Sequence, residues 1–137
     1  MGKKQNLNWA RNMDVDDWRE RQINKWTHRY IEELDQAFRQ RHAQDSDETL
    51  RVYVQRKARK MGRMPHPLDI PGGLYLRKRL GDWDALALSF GLAPVGKTQG
   101  DKAYRRLRKK GEELFLQARR ERKREAAQKK ELRGQTG

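Results

Sequence analysis

Residues 63–92 read "RMPHPLDIPGGLYLRKRLGDWDALALSFGL", and this stretch decides the fold. Its first part is too rich in proline and glycine for long regular structure, although Pro67 suits the first turn of a short helix. The segment "LYLRKRLG" then predicts a second short helix that ends at Gly81, and Asp82 caps a third that Gly91 ends. Short helices joined by tight turns are typical of a helix-turn-helix unit.

The residues before this stretch predict a supporting helix. In "DETLRVYVQRKARKMG" the apolar residues recur at helical spacing, Asp45, Ser46 or Asp47 provides the cap, and Gly62 ends the helix. Residues 49–94 are therefore predicted to form one small helix-turn-helix-like domain. We predict that its structural core contains Leu76, Leu80, Gly81, Trp83, Leu86 and Phe90.

An amphipathic helix is predicted over residues 14–44, after a flexible N-terminus at 1–13. Acidic residues at its start suit a helix N-terminus. An apolar stripe then follows at spacings of three or four. Its members are Ile23, Trp26, Tyr30, Leu34 and Phe38. The stripe packs either on the following domain or on another chain, so a protein partner or self-association through residues 14–42 stays open.

Residues 95–137 are interpreted as a linker followed by a basic arm. Tyr104, Leu107, Leu114 and Phe115 form a modest apolar stripe, which Gly111 weakens. Beyond this stripe the chain is almost wholly charged or small, so the arm is either a solvated helix or disordered. No stretch alternates with the period of a β-strand. We therefore predict an all-α protein.

Positive charge is concentrated in the later parts of the chain. The 137 residues include 33 Lys and Arg against 19 Asp and Glu, a formal net charge of +14. Residues 1–48 carry a net charge of −1, residues 49–94 of +6, and residues 95–137 of +9. This distribution favours a polyanionic partner for the later parts of the chain.

The central stretch resembles the homing-endonuclease-associated repeat, a small helical module found beside nuclease domains and alone in proteins of microbes and their mobile elements. The matching residues are Gly62, Arg63, Pro65, Leu80, Gly81, Asp82, Trp83, Leu86, Gly91 and Leu92. Leu80 and Asp82 replace the Phe and Ser of the pattern, and Asp84 replaces its Asn. The resemblance covers about one third of the chain as a single copy, without a nuclease domain, and implies a DNA-binding module.

No pattern in the sequence predicts catalysis. Neither the three histidines nor the carboxylate runs have the spacing of a nuclease or metal site, and there is no cysteine. The stretch "GLAPVGKT" at 91–98 has the spacing of a phosphate-binding loop but lacks the preceding strand of an α/β domain. We expect no enzymatic activity, no cofactor and no metal. No secretory signal or membrane-spanning run is present, and we expect a cytoplasmic protein, with a nucleoid or mobile-element setting open.

The segment "LYLRKRL" is the natural recognition helix, because its leucines face inward and its cations face outward. Arg77 and Lys78 reach base edges or phosphates in this interpretation. Tyr75 is either a contact or a residue at the edge of the core, and Arg63 either contacts phosphate or pairs with Asp69 or Asp82. The predicted nucleic-acid-binding residues are Arg56, Arg59, Lys60, Arg63, Tyr75, Arg77, Lys78, Arg79, Arg105, Arg106, Lys109 and Lys110.

Three functional hypotheses follow. The first is a non-enzymatic protein that binds double-stranded DNA and prefers certain sequences, with the basic arm gripping phosphates. The alternative is an RNA- or ribosome-associated basic protein. The weaker alternative is a helical adaptor that binds another protein.

Overall fold

The computed structural model describes residues 2–136, and it describes side chains for residues 15–134. In chain order it contains helices α1 (Gly2–His42) and α2 (Asp47–Met61), a 3-10 turn (Pro67–Asp69), and helices α3 (Gly73–Leu80), α4 (Trp83–Ser89) and α5 (Gln99–Thr136). The described residues include no strand, so the all-α prediction is confirmed.

The chain forms two compact units. We call Arg29–Leu107 the central module, and Met1–His28 with Arg108–Gly137 the paired-helix unit. Helices α1 and α5 each contribute residues to both units. The short helices of the predicted helix-turn-helix-like domain lie entirely in the central module.

The two long helices extend beyond their predicted bounds. Helix α1 begins at Gly2, before the predicted start at residue 14, because residues 3–13 contain neither proline nor glycine to interrupt it. Helix α5 begins at Gln99, inside the predicted linker, and continues to Thr136. Of the two alternatives for the basic arm, the structure therefore has the solvated helix.

The ends of the short helices follow local sequence signals. Ser46 caps α2, and its hydroxyl accepts a hydrogen bond from the Thr49 N–H at 3.2 Å. Asp82 caps α4, and its carboxylate accepts from the N–H groups of Asp84 and Ala85. Gly62 follows α2 with a φ of 71°, a left-handed conformation that glycine adopts without strain. These ends match the predictions.

The predicted short helix at Pro67 is only one 3-10 turn. Its cap is His66, whose Nδ1 accepts from the Leu68 N–H at 3.0 Å. The Asp69 carboxylate in return accepts from the His66 N–H at 2.9 Å. This reciprocal pair is a capping box with histidine in the place usually taken by serine or threonine. Pro71 follows at once and leaves no room for a longer helix.

The core of the central module contains most of its predicted members. Leu76, Trp83 and Leu86 are buried, and Leu80 and Phe90 are half-buried against them. The Trp83 indole Nε1–H donates to the Pro65 carbonyl at 2.8 Å, which satisfies the one polar atom of the ring. The core also includes Phe38, Leu50, Val54, Met64, Ile70 and Ala87.

The prediction that Gly81 belongs to this core is wrong. Gly81 is exposed, and a Cβ atom at this position would have no neighbour within 4 Å. Its φ of 81° instead ends α3, and its N–H donates to the Arg77 carbonyl. Gly81 therefore shapes the connection to α4 rather than filling space.

In the paired-helix unit, α1 and α5 pack through a threonine and a glycine. Thr27 is fully buried, and its hydroxyl donates to the Ile23 carbonyl at 2.8 Å. A Cβ atom at Gly111 would lie 2.0 Å from the Thr27 Oγ1, so only glycine permits this approach. The expectation that Gly111 merely weakens α5 therefore misses its role. Trp18 meets Phe115 edge-on nearby, with 6.0 Å between ring centroids.

Candidate nucleic-acid interface

The N-terminal end of α3 is fixed by two glycines packed against protein atoms. A Cβ atom at Gly72 would lie 2.1 Å from Phe38 Cγ, and one at Gly73 would lie 1.7 Å from the Pro67 carbonyl oxygen. Both glycines are buried. They allow the turn to pack closely inside the module, and so they do not present backbone to a phosphate.

A carboxylate of α1 completes this end of α3. The N–H of Tyr75 in the first turn donates to Asp35 Oδ1 at 2.9 Å. The N-cap residue Gly72 offers no side chain, so Asp35 satisfies a donor that the helix itself leaves open. A negative charge at a helix N-terminus is also favourable to the helix dipole. Asp35 therefore orients α3 from a distant part of the chain.

The C-terminal end of α3 is fixed by Arg79. Its guanidinium donates to Asp47 Oδ1 at 2.9 Å, to the Tyr75 hydroxyl at 2.8 Å, and to the carbonyls of Ala43 and Asp45. Arg79 is predicted from the sequence to contact nucleic acid, but in the structure its donors are engaged with the corner between α1 and α2. This arrangement uses several donors of the guanidinium fork at once.

Tyr75 is likewise part of the support of α3. Its ring packs against Phe38, with 6.2 Å between centroids, and Arg39 lies over the ring with its guanidinium carbon 5.2 Å from the centroid. Its hydroxyl accepts from Arg79. Of the two interpretations left open by the sequence, the structure has the residue at the edge of the core.

Between these two fixed ends, α3 exposes Arg77 and Lys78. Neither side chain makes an ion pair within the described part of the chain. Leu76, their neighbour, is fully buried and prevents rotation of the helix about its axis. The helix thus presents two adjacent cations on a rigid support.

Arg63 and Arg106 converge on a buried carboxylate. The Asp69 side chain is only 1% exposed; its Oδ2 lies 3.0 Å from Arg63 Nη1, and its Oδ1 lies 3.1 Å from Arg106 Nη2. Arg63 also donates to the Met64 carbonyl and to Gln99 Oε1. Of the two interpretations of Arg63, the structure has the salt bridge to Asp69. The Arg106 side chain is 61% exposed, so part of its guanidinium still faces solvent.

His66 lies between these charged groups. Burial lowers the pKa of its imidazole; Asp69 opposes this shift, whereas Arg77 and Arg63 add to it. Because Nδ1 accepts from the Leu68 N–H, the neutral ring carries its proton on Nε2. Arg77 and Arg63 thus both act on one imidazole, which places exposed and structural cations around the same turn.

The remaining predicted contacts are divided between the two units. The central module contains Arg56, Arg59, Lys60 and Arg105, all exposed. Lys109 and Lys110 are exposed in the paired-helix unit, and Lys110 lies 3.6 Å from Glu113. The structure therefore brings the α2 and α3 cations into one module but assigns these two lysines to the other unit.

The described residues contain no group of three or more His, Cys, Asp or Glu side chains able to hold a metal ion. No described helix combines the length and the apolar character that crossing a membrane requires. The residues with phosphate-loop spacing at 91–98 follow helix α4, and a phosphate-binding loop needs a strand at that place.

Two carboxylates that organise this region are not among the predicted site residues: Asp35, which binds the Tyr75 N–H in α3, and Asp69, which binds Arg63 and Arg106. The role of Asp69 could have been predicted from the sequence, because an acidic residue three positions after a cap is the pattern of a capping box. The role of Asp35 could not, since its partner Tyr75 lies 40 residues away.

No protein-family model matches the chain, and neither a curated protein nor a solved structure matches it.

Proposed function

We propose that this chain is a non-enzymatic nucleic-acid-binding protein that binds double-stranded DNA through α3. The observation that carries the proposal is the division of labour within this helix. Tyr75 and Arg79 fix the helix to the module, whereas Arg77 and Lys78 between them are exposed and unpaired in the described structure. A binding site works best when such supporting contacts fix its geometry in advance.

Duplex DNA suits this arrangement in size and chemistry. An α-helix is about 10–12 Å wide with its side chains, and the major groove of B-DNA is about 12 Å wide. Arg77 is suited to bidentate hydrogen bonds with a guanine, and Lys78 to a base edge or a phosphate. The resemblance of residues 62–92 to the homing-endonuclease-associated repeat supports the same partner.

The other exposed cations of the module provide phosphate contacts in this proposal. Arg56, Arg59 and Lys60 lie on α2, which contacts α3 directly. Arg105 and the solvent-facing part of Arg106 add further positive charge on α5. Contacts of this kind hold the protein on the duplex without reading its sequence.

A titration of duplex DNA with the full chain tests the proposal. Arg77→Ala/Lys78→Ala should weaken binding to a preferred duplex by about 1–3 kcal/mol and relax its sequence preference. Arg41→Ala/Lys102→Ala is the matched control, because it removes two exposed cations of the same module that lie outside the predicted interface. The control should keep the sequence preference.

Two results would contradict the proposal. If the α3 variant keeps both the affinity and the sequence preference of the unmodified chain, α3 is not the reader. If the unmodified chain binds structured RNA tightly and shows no preference for duplex DNA, the RNA-associated alternative is correct.

A further inference from the structure

The outer part of α5 has one basic face. From Arg119 onward every residue with a described side chain is exposed, and six cations cluster within about 120° of the helix circumference when successive residues are placed about 100° apart. We call these six residues the basic stripe. They are Arg119, Arg122, Lys123, Lys129, Lys130 and Arg133.

The stripe continues the face that packs α5 inside the paired-helix unit. Gly111 and Phe115 are buried on that face. Seven residues make about two helical turns, so Arg122 and Lys129 follow Phe115 along the same line. A packing face that turns into a line of cations no longer fits an apolar neighbour, and it does fit a polyanion.

The three acidic residues of this segment lie outside the stripe. On the helical wheel Glu121 and Glu131 oppose it, together with Gln128 and Leu132, and Glu125 lies about 40° beyond its edge. Arg122, Lys123, Lys129 and Lys130 make no ion pair in the described part of the chain. A helix that serves only solubility mixes both signs around its whole surface, whereas the stripe contains no carboxylate and the acidic residues share the remaining surface with Arg120 and Arg124.

Like charges at spacings of three and four destabilise an isolated helix, as between Arg119 and Lys123 or between Lys129 and Arg133. A line of phosphates relieves that repulsion and releases counterions. Leu132 is the one large apolar side chain opposite the stripe, so the segment lacks the apolar face that anchors a helix in a membrane surface. Charge complementarity therefore points to a nucleic acid.

We infer that the basic stripe binds the phosphate backbone of duplex DNA as a preformed helix, independently of base sequence. This inference rests on the proposed function and extends it to a second surface. From Arg119 to Arg133 the helix rises about 21 Å, at about 1.5 Å per residue. A helix of this width fits the major groove of B-DNA, whereas the major groove of an A-form RNA helix is deep and narrow.

The test compares two double variants of the full chain that remove the same charge from the same helix. Arg122→Ala/Lys129→Ala removes two stripe cations, and Arg120→Ala/Arg124→Ala removes two exposed cations outside it. Alanine is the strongest helix former, so circular dichroism should show unchanged helix content in both. The measurement is the affinity for one duplex DNA across a salt series.

The stripe variant should lower the slope of log affinity against log salt by about 1.8, at about 0.9 per phosphate contact. The loss of affinity between about 50 and 200 mM salt then becomes about tenfold smaller than for the unmodified chain. The control pair should change the slope by less than half as much. Binding of the stripe variant to a preferred sequence should keep its preference over other sequences.

If the two double variants give equal slopes of log affinity against log salt, the inference is wrong, because the outer part of α5 then acts only as diffuse charge. Equal affinity of the unmodified chain for double-stranded RNA and DNA, with the same loss in the stripe variant, would overturn the choice of DNA. Failure of the unmodified chain to bind any duplex would overturn this inference and the proposed function together. If only Arg77→Ala/Lys78→Ala loses the sequence preference, α3 provides that preference and the basic stripe does not.

Discussion

The central module and the outer part of α5 carry positive charge in two different ways. In the module, Arg79 and Arg63 bind carbonyl and carboxylate oxygens and so determine where helices lie. In residues 119–134 the cations project from a helix whose side chains are all exposed. The same residue types therefore hold the fold together in one region, whereas in the other Arg122, Lys123, Lys129 and Lys130 make no ion pair in the described part of the chain. The contrast predicts that removing the partners of Arg63 or Arg79 changes stability, whereas removing exposed cations of the basic stripe changes binding.

The largest effect is expected at Trp83. Trp83→Ala should lower the free energy of unfolding of the module by about 3–5 kcal/mol, because it leaves a cavity in a small core and an unpaired Pro65 carbonyl. Leu88→Ala is the control, since Leu88 lies in the same helix but is 65% exposed. Chemical denaturation measures both. A Trp83 variant as stable as the Leu88 variant would show that the module does not depend on this core.

The second-largest effect on the free energy of unfolding is expected at Asp69, whose ion pairs hold the module together. Asp69→Ala should cost about 3 kcal/mol, because it removes a buried acceptor shared by Arg63, Arg106 and the His66 N–H. This figure lies at the low end for a broken buried pair, since both guanidinium groups reach water. Asp84→Ala removes an exposed carboxylate and should change stability by less than about 0.5 kcal/mol.

The third prediction compares two glycines of α5. Gly111→Ala should destabilise the chain by about 1–3 kcal/mol, because the added methyl group overlaps Thr27. Gly134→Ala should instead stabilise the outer helix by about 0.5–1 kcal/mol, because nothing lies within 4 Å of the new Cβ and alanine favours a helix. Helix content by circular dichroism and thermal unfolding report the two signs. The same sign at both positions would contradict the packing in the paired-helix unit.

The smallest effect concerns pH. The pKa of His66 is lower in the folded chain than its ordinary value of 6.5, so the unfolded chain binds the proton first as pH falls. Stability is therefore full above pH 6.5 and decreases as pH falls from there through the lowered pKa of the folded state. His66→Asn keeps a side-chain acceptor at the cap and does not titrate in this range. The variant should show a flatter dependence of unfolding free energy on pH, whereas identical curves would exclude His66 as the cause.

The sequence predicts those parts of the fold in which the partners lie within a few residues. The cap at Ser46, the stop at Gly62 and the cap at Asp82 are all of this kind. The hydrogen bond from Tyr75 to Asp35 and the contacts of Arg79 with the α1–α2 corner are not, because they join segments more than 30 residues apart. Helical spacing alone predicts that Arg77 and Lys78 are exposed. It does not predict that the neighbouring Tyr75 and Arg79 are bonded to distant residues.

The central claim is that α3 gives the protein a sequence preference that the outer helix does not provide. Selection of bound sequences from a random duplex pool, run at low and high salt, tests it most directly. The unmodified chain should enrich the same sequence at both salt concentrations, Arg122→Ala/Lys129→Ala should still enrich it, and Arg77→Ala/Lys78→Ala should enrich none. Enrichment of that sequence by the α3 variant, or of no sequence by the unmodified chain, would contradict the claim.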